Sequence, residues 1–233
     1  MEKNLMIYHG SQQIVEVPKF GIGKKHNDYG QGFYCTENNE LAKEWACPVK
    51  ANGYSNSYRL SLDGLNVMHL TKGNFNILNW LAVLLANRTF DISSSIGNSS
   101  KAFILDRFLP ETTDADIIIG YRADDSYFSF AEDFVNNTIS LRDLNEAMRL
   151  GTLGEQVVLV SKRSFEHIEF LGSEVADYHE YYLKRQERDQ KARATYGNRK
   201  KNLQQLVDDI FILDIIREDM ENDDPRLQSA ISE

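Results

Sequence analysis

The chain has 233 residues, 42% of them hydrophobic and 26% charged, enough for one sizeable domain with an appendage or two small domains, in the ordinary range for a globular protein. Its 26 Lys and Arg against 35 Asp and Glu leave a formal charge of −9. That excludes a chain basic overall, and phosphate-backbone binding would need a local cluster of cations. Cys35 and Cys47 stand outside any CxxC pair, so neither a disulfide framework nor a four-cysteine zinc site is available.

In chain order, Leu5–Tyr8 reads as a short buried strand ending in His9-Gly10-Ser11, and Ile14, Val15 and Val17 as an extended segment before Pro18. Residues Gly21–Gly32 are loop-like, with four glycines. Phe33–Thr36 reads as a second strand, and Asn39–Cys47 as a helix closed by Pro48. Alternation from Asn52 to Val67 predicts one or two strands around a turn at Asp63-Gly64.

Ile77, Trp80, Leu81, Leu84 and Leu85 mark a helix over Asn76–Phe90. The serine-rich Asp91–Ser100 reads as a loop, with a helix from Lys101 to Leu109. A strand is expected at Asp116–Gly120, and helices at Ser126–Asn136 and Ser140–Arg149. Ser140 with Asp143 three residues on forms a capping-box-like start. Val157–Val160 and Ile168–Leu171 are the last strands. Beyond residue 173 the chain turns highly charged. Leu203, Leu206, Val207, Ile210 and Phe211 then recur at helical spacing, a stripe that has to bury against the domain or a second copy. After Asp219 the chain reads as acidic and frayed. The expected division is a domain over 1–173 and a helical extension over 174–233.

The first residues lack the apolar core of a secretion signal, and the apolar run near Trp80–Ala86 is too short to span a bilayer. A cytoplasmic protein without a membrane segment is therefore expected. The chain carries no GxxxxGK[ST] phosphate loop, GxSxG elbow, HExxH pair or dinucleotide fingerprint. Singly, His9 reads as a satisfied polar residue, Tyr34 as a core aromatic, and Glu155-Gln156 as a strand cap. Asp124-Asp125 reads singly as a solvated turn.

Together they read differently. Tyr8-His9-Gly10-Ser11, Asp28-Tyr29-Gly30-Gln31-Gly32-Phe33-Tyr34-Cys35-Thr36 and Leu41–Ala46 resemble the NAD-binding half of diphtheria-toxin-like and poly-ADP-ribose-polymerase-like transferases. With Asn87-Arg88, Asp116–Asp125 and Gln156-Val157-Val158-Leu159, the likeness is closer to the bacterial family called domain of unknown function 3990, over roughly Asn4–Leu171. The resemblance implies an α+β fold, the ADP-ribosyltransferase split β-sandwich with surrounding helices and a helical C-terminal extension. It implies a mono-ADP-ribosyltransferase that takes ADP-ribose from NAD, without a metal, to a cytosolic macromolecule, as a toxin-like or phage-conflict effector. An inactive NAD-binding module and an NAD glycohydrolase are the alternatives. An antitoxin-like partner and a homodimer through the C-terminal helices are further expectations.

Carried over residue by residue, His9 would bond the adenosine ribose, Gly10 the nicotinamide amide through its backbone, and Tyr34 and Trp45 would sandwich the nicotinamide. Ser11 and Gly32 flank these positions in the same motifs. Ala42 stands where polymerases carry a serine. At the third motif Glu155 and Gln156 are both candidates, on opposite faces of a strand. Family pattern favours Gln156; a carboxylate would favour Glu155. Asp124 and Asp125 are candidates for the acceptor side.

Overall fold

The structure, a computed structural model, describes residues 4–123, 128–149, 154–201 and 208–229. It is a mixed α+β fold with two sheets. The first has the order β1-β3-β7, from β1 (Asn4–Ser11), β3 (Gly53–Ser61) and β7 (Ile168–Ala176), paired antiparallel. The second has the order β2-β6-β5-β4, from β2 (Phe33–Cys35), β6 (Glu155–Leu159), β5 (Ile117–Tyr121) and β4 (Val67–His69).

Side chains alternate across the second sheet, which explains its unbroken apolar runs. Ile117, Ile119, Val157 and Leu159 face Ile7, Tyr58 and Leu60 of the first sheet. Ile118 and Val158 face the helices and join the larger core around Trp80, Phe108, Phe130 and Phe134. Both faces of β5 and β6 are thus buried, so neither strand needs a polar side. The turn after β3 passes through Gly64 at φ 73°, a conformation that favours glycine.

Helices α1 (Asn39–Ala46), α2 (Ile77–Asn87), α3 (Ser95–Phe108), α4 (Phe128–Val135) and α5 (Leu141–Arg149) follow the expected order. The start of α5 is as read: Asp143 N–H donates to Ser140 Oγ at 3.1 Å, and Ser140 N–H donates to Asp143 Oδ2 at 3.2 Å. One expectation changes. α3 starts at Ser95, inside the segment read as loop, because Ser94 caps it by accepting from Gly97 N–H at 2.9 Å; serine favours a cap as readily as a loop. Residues Ile14–Pro18, read as extended, join neither sheet and bend at Glu16 and Val17.

The C-terminal part is woven into the domain. β7 runs past residue 173 to Ala176 and leads into the long α6 (Tyr178–Lys201). α6 packs on α1, with Arg188 Nε donating to Glu44 Oε2 at 2.7 Å and Tyr181 bonding Glu40. Leu203, Leu206 and Val207 lie outside the described residues. Ile210, from the same stripe, packs on the larger core, followed by α7 (Ile212–Arg217). Over residues 220–229 the tail is not frayed. Met220 and Leu227 are buried, and α8 (Pro225–Ser229) is tied down by Arg226 bridging Glu218 and Asp224. Two apolar anchors outweigh an acidic composition. Among the described residues no helix is long and apolar enough to cross a membrane.

Candidate functional site

The two sheets meet where β1 touches the end of β2. Tyr8 N–H donates to Thr36 O at 2.7 Å and Thr36 N–H donates to Tyr8 O at 2.9 Å. Backbone groups of a strand alternate in direction, so Gly10, two residues on, turns its N–H and C=O to the same side. There β1 and β2 part and a cleft of about 1010 Å³ opens, with His9, Gly10, Ser11, Gly32 and Tyr34 on its walls.

His9 Nδ1 donates to Tyr34 O at 2.7 Å. A carbonyl can only accept, so the bond fixes the tautomer and leaves Nε2 with its lone pair. Burial lowers the imidazole pKa from its ordinary value, outweighing that hydrogen bond, and keeps the ring neutral near pH 7. The ring rests on Phe33, centroids 4.3 Å apart. The Tyr34 hydroxyl donates to Gly30 O at 2.6 Å and accepts from Tyr29 N–H at 3.1 Å. Its phenol therefore staples the loop before β2, and burial holds its pKa far above the usual value.

Trp45 reaches the cleft because α1 lies directly on two glycines. A Cβ at Gly10 would stand 1.9 Å from Ala42 O, and one at Gly53 would stand 2.1 Å from Ala46 O. The helix backbone occupies the space where side chains would be. The Trp45 indole Nε1 is buried without a hydrogen-bond partner. The guanidinium of Arg122 lies over the Trp45 ring, 4.0 Å from its centroid, a cation–π arrangement on a ring expected to stack a ligand.

At the third motif the two neighbours part as strand alternation requires. Gln156 is 3% exposed and its Nε2 donates to Asp28 Oδ2 at 2.8 Å, within the cleft wall. Glu155 lies on the other face of β6, where its carboxylate is 3.4 Å from His69 Nε2 and accepts from the Thr71 hydroxyl. Burial also lowers the His69 pKa, against the opposing pull of Glu155. Asp124 and Asp125 lie outside the described residues.

Asp28 also lines the cleft, and the sequence motifs do not single it out. It is 6% exposed, accepts from Ala123 N–H at 3.0 Å, and faces Arg88 at 3.8 Å. Burial raises its carboxyl pKa, opposed by the Ala123 and Gln156 hydrogen bonds and by Arg88 and Arg122. Its signal is its place before Tyr29, which is buried with its hydroxyl donating to Tyr121 O at 2.6 Å; a loop residue beside such an anchor points inward.

The cleft walls carry Lys19, Lys24, Arg88, Arg122, Arg185 and Arg193 against Asp28 and Asp189. In a chain of formal charge −9, that local excess of cations suits an anionic ligand. Arg185, Asp189 and Arg193 come from α6. Among the described residues no group of three or more His, Cys, Asp or Glu is gathered to hold a metal ion.

The model of a family of proteins of unknown function, DUF3990, matches residues 5–170. The chain belongs to the DUF3990 family. No curated protein and no solved structure matches it. The DUF3990 segment holds both sheets up to Phe170 within β7, together with His9, Gly10, Tyr34, Trp45 and Gln156, and ends before α6.

Proposed function

We propose that this DUF3990 protein binds NAD in the cleft and transfers ADP-ribose to a macromolecule, one unit at a time, on an ADP-ribosyltransferase split β-sandwich. The observation that carries the reading is the convergence of His9, Gly10, Tyr34, Trp45 and Gln156, from four separate elements, on one cleft between two sheets. Cleaving the nicotinamide–ribose bond builds positive charge on the sugar, and the protein has to hold a bent dinucleotide and stabilise that charge.

The free Nε2 of neutral His9 can accept from a ribose hydroxyl. The Gly10 backbone offers one donor and one acceptor, a match for a carboxamide. The unpartnered Trp45 indole N–H offers one more donor, and buried donors are seldom left unpaired. The cationic walls suit the pyrophosphate. Gln156 is neutral, which supports single transfer over chain growth, since activating successive hydroxyl acceptors calls for a base. Val17, Phe20 and Ile22 are exposed on the rim segment between β1 and β2 and give a macromolecular acceptor or an antitoxin-like partner an apolar foothold.

The test is incubation with NAD labelled on its adenylate, with lysate divided into protein and nucleic-acid fractions, following nicotinamide release and label transfer. Transfer to one fraction supports the reading. Nicotinamide release without transfer makes the protein an NAD glycohydrolase. NAD binding without release makes it a binding module, and no binding at millimolar NAD refutes the reading.

A further inference from the structure

We propose that Asp28 is the positioning carboxylate of the reaction centre: it grips Gln156 by its amino group and so turns the amide carbonyl toward the ribose of the bound dinucleotide. The inference rests on the NAD reading above and answers its main chemical difficulty, a neutral side chain where positive charge has to be stabilised.

A glutamine amide is a donor at one end and an acceptor at the other, and alone it is free to turn either way. Here it is not free. Nε2 stands 2.8 Å from Asp28 Oδ2 and 3.4 Å from Tyr121 O. Both are acceptors, so the amino group has to face them. The reverse orientation would press the amide oxygen against a carboxylate and a carbonyl. Oε1 is left as the end that a ribose hydroxyl can use.

Asp28 is itself held. Ala123 N–H donates to its Oδ2 at 3.0 Å, and Arg88 faces its Oδ1 at 3.8 Å. The loop that carries it is fixed on both sides, by Tyr29 bonded to Tyr121 O and by the Tyr34 hydroxyl bonded to Gly30 O. Against burial, two N–H donors and the cations Arg88 and Arg122 favour the ionised carboxylate, and that charge sits one hydrogen bond behind the amide, with both side chains buried. There it polarises the amide and attracts the developing positive charge with little screening. Asp28 and Gln156 together thus do what a single glutamate would do, with the charge set back by one side chain.

The experiment measures nicotinamide release, the KM for NAD and the melting temperature of four proteins. These are wild type, Asp28→Asn, Gln156→Glu, and Asp28→Asn combined with Gln156→Glu. The Asp28→Asn change keeps the shape and loses the charge, so kcat is expected to fall on the order of 10²-fold, with KM within about threefold because ground-state contacts are kept. Gln156→Glu alone sets two carboxylates together and makes them share a proton; the pair keeps one charge but no longer fixes which atom faces Asp28 and Tyr121 O and which faces the ribose, so its rate is expected to fall too. The double variant moves the charge to position 156, where the amide at position 28 can donate to it, while Ala123 N–H loses its acceptor and Tyr121 O is left beside the new carboxylate, so a lower melting temperature is expected with it. Its kcat is expected within about tenfold of wild type, since the charge is restored where it acts.

The double variant also keeps the test decisive if Asp28→Asn unfolds: a kcat as low as that of Gln156→Glu alone overturns the inference. A kcat unchanged in Asp28→Asn, with or without a lower melting temperature, overturns this inference and leaves the NAD reading standing. No nicotinamide release from wild type overturns both.

Discussion

Replacing Gly10 with alanine tests the seat on which the cleft is built. The new Cβ would stand 1.9 Å from Ala42 O and 2.8 Å from Ala46 N, where ordinary contact needs about 3.4 Å or more. Both obstacles are backbone atoms of α1, so no rotamer change relieves them. The helix has to move by about 1.5 Å, the difference between 3.4 and 1.9 Å. That movement strains the burial of Leu41, Ala42 and Ala46 and the Arg188–Glu44 bond. Overpacking of this kind costs about 1–3 kcal/mol, and an unyielding obstacle puts Gly10→Ala near the upper end. For a chain of this size, about 3 kcal/mol lowers the melting temperature by roughly 6–12 °C. The assay is thermal unfolding by circular dichroism. The control is Gly197→Ala in α6, where nothing lies within 4 Å and alanine is expected to stabilise the helix by about 0.5–1 kcal/mol. A Gly10→Ala protein melting within about a degree of wild type, against the roughly 2–4 °C expected per kcal/mol, would refute the seating of α1 on β1.

Three further outcomes follow from the site. The chain has two tryptophans. Trp80 is 1% exposed and bonds Tyr121 O, while Trp45 lines the cleft, so the fluorescence change on adding NAD is expected to vanish in Trp45→Phe; a change that persists would move the ligand elsewhere. Glu155→Gln is expected to leave nicotinamide release within about threefold of wild type, because strand alternation sends its side chain to His69, while Gln156→Ala lowers release on the order of 10²-fold; the reverse pattern would make Glu155 the working group. His9 has its pKa lowered in the fold, so the unfolded chain takes up a proton at this position before the folded one does. The stability His9 contributes is therefore complete above about pH 6.5 and is lost as pH falls below that toward the lowered folded value. Urea midpoints at pH 7.5 and 5.5 are expected to differ less in His9→Gln than in wild type, and an equal difference would refute the assignment.

Much of the frame was legible in local pattern. The period of Ile77, Trp80, Leu81, Leu84 and Leu85 gave α2, and the short runs at Ile117 and Val157 gave the two strands buried on both faces. Local chemistry also placed the α5 cap at Ser140. Of the candidate site, the cleft lining was legible where a motif fixes the backbone, at His9-Gly10 and at Gly32-Phe33-Tyr34. What escaped depends on register between distant strands. Asp28 meets Gln156 because the loop before β2 folds back over β6, and Arg122 meets Trp45 across β5 and α1; neither pairing leaves a trace in local sequence. The serine-rich stretch misled because one residue type serves both loops and helix caps. The acidic tail misled because composition averages over the two apolar residues, Met220 and Leu227, that anchor it.

α6 carries a consequence for what the cleft admits. The DUF3990 match stops at residue 170, yet Arg185, Asp189 and Arg193 on α6 form part of the cleft wall. The matched segment is thus a mould open along one side, closed in this chain by a helix beyond residue 170. On the proposed function, a different closing helix over the same floor of His9, Tyr34 and Gln156 would select a different ligand. Grafting such a helix after Ala176 would change the choice of ligand while leaving the floor untouched.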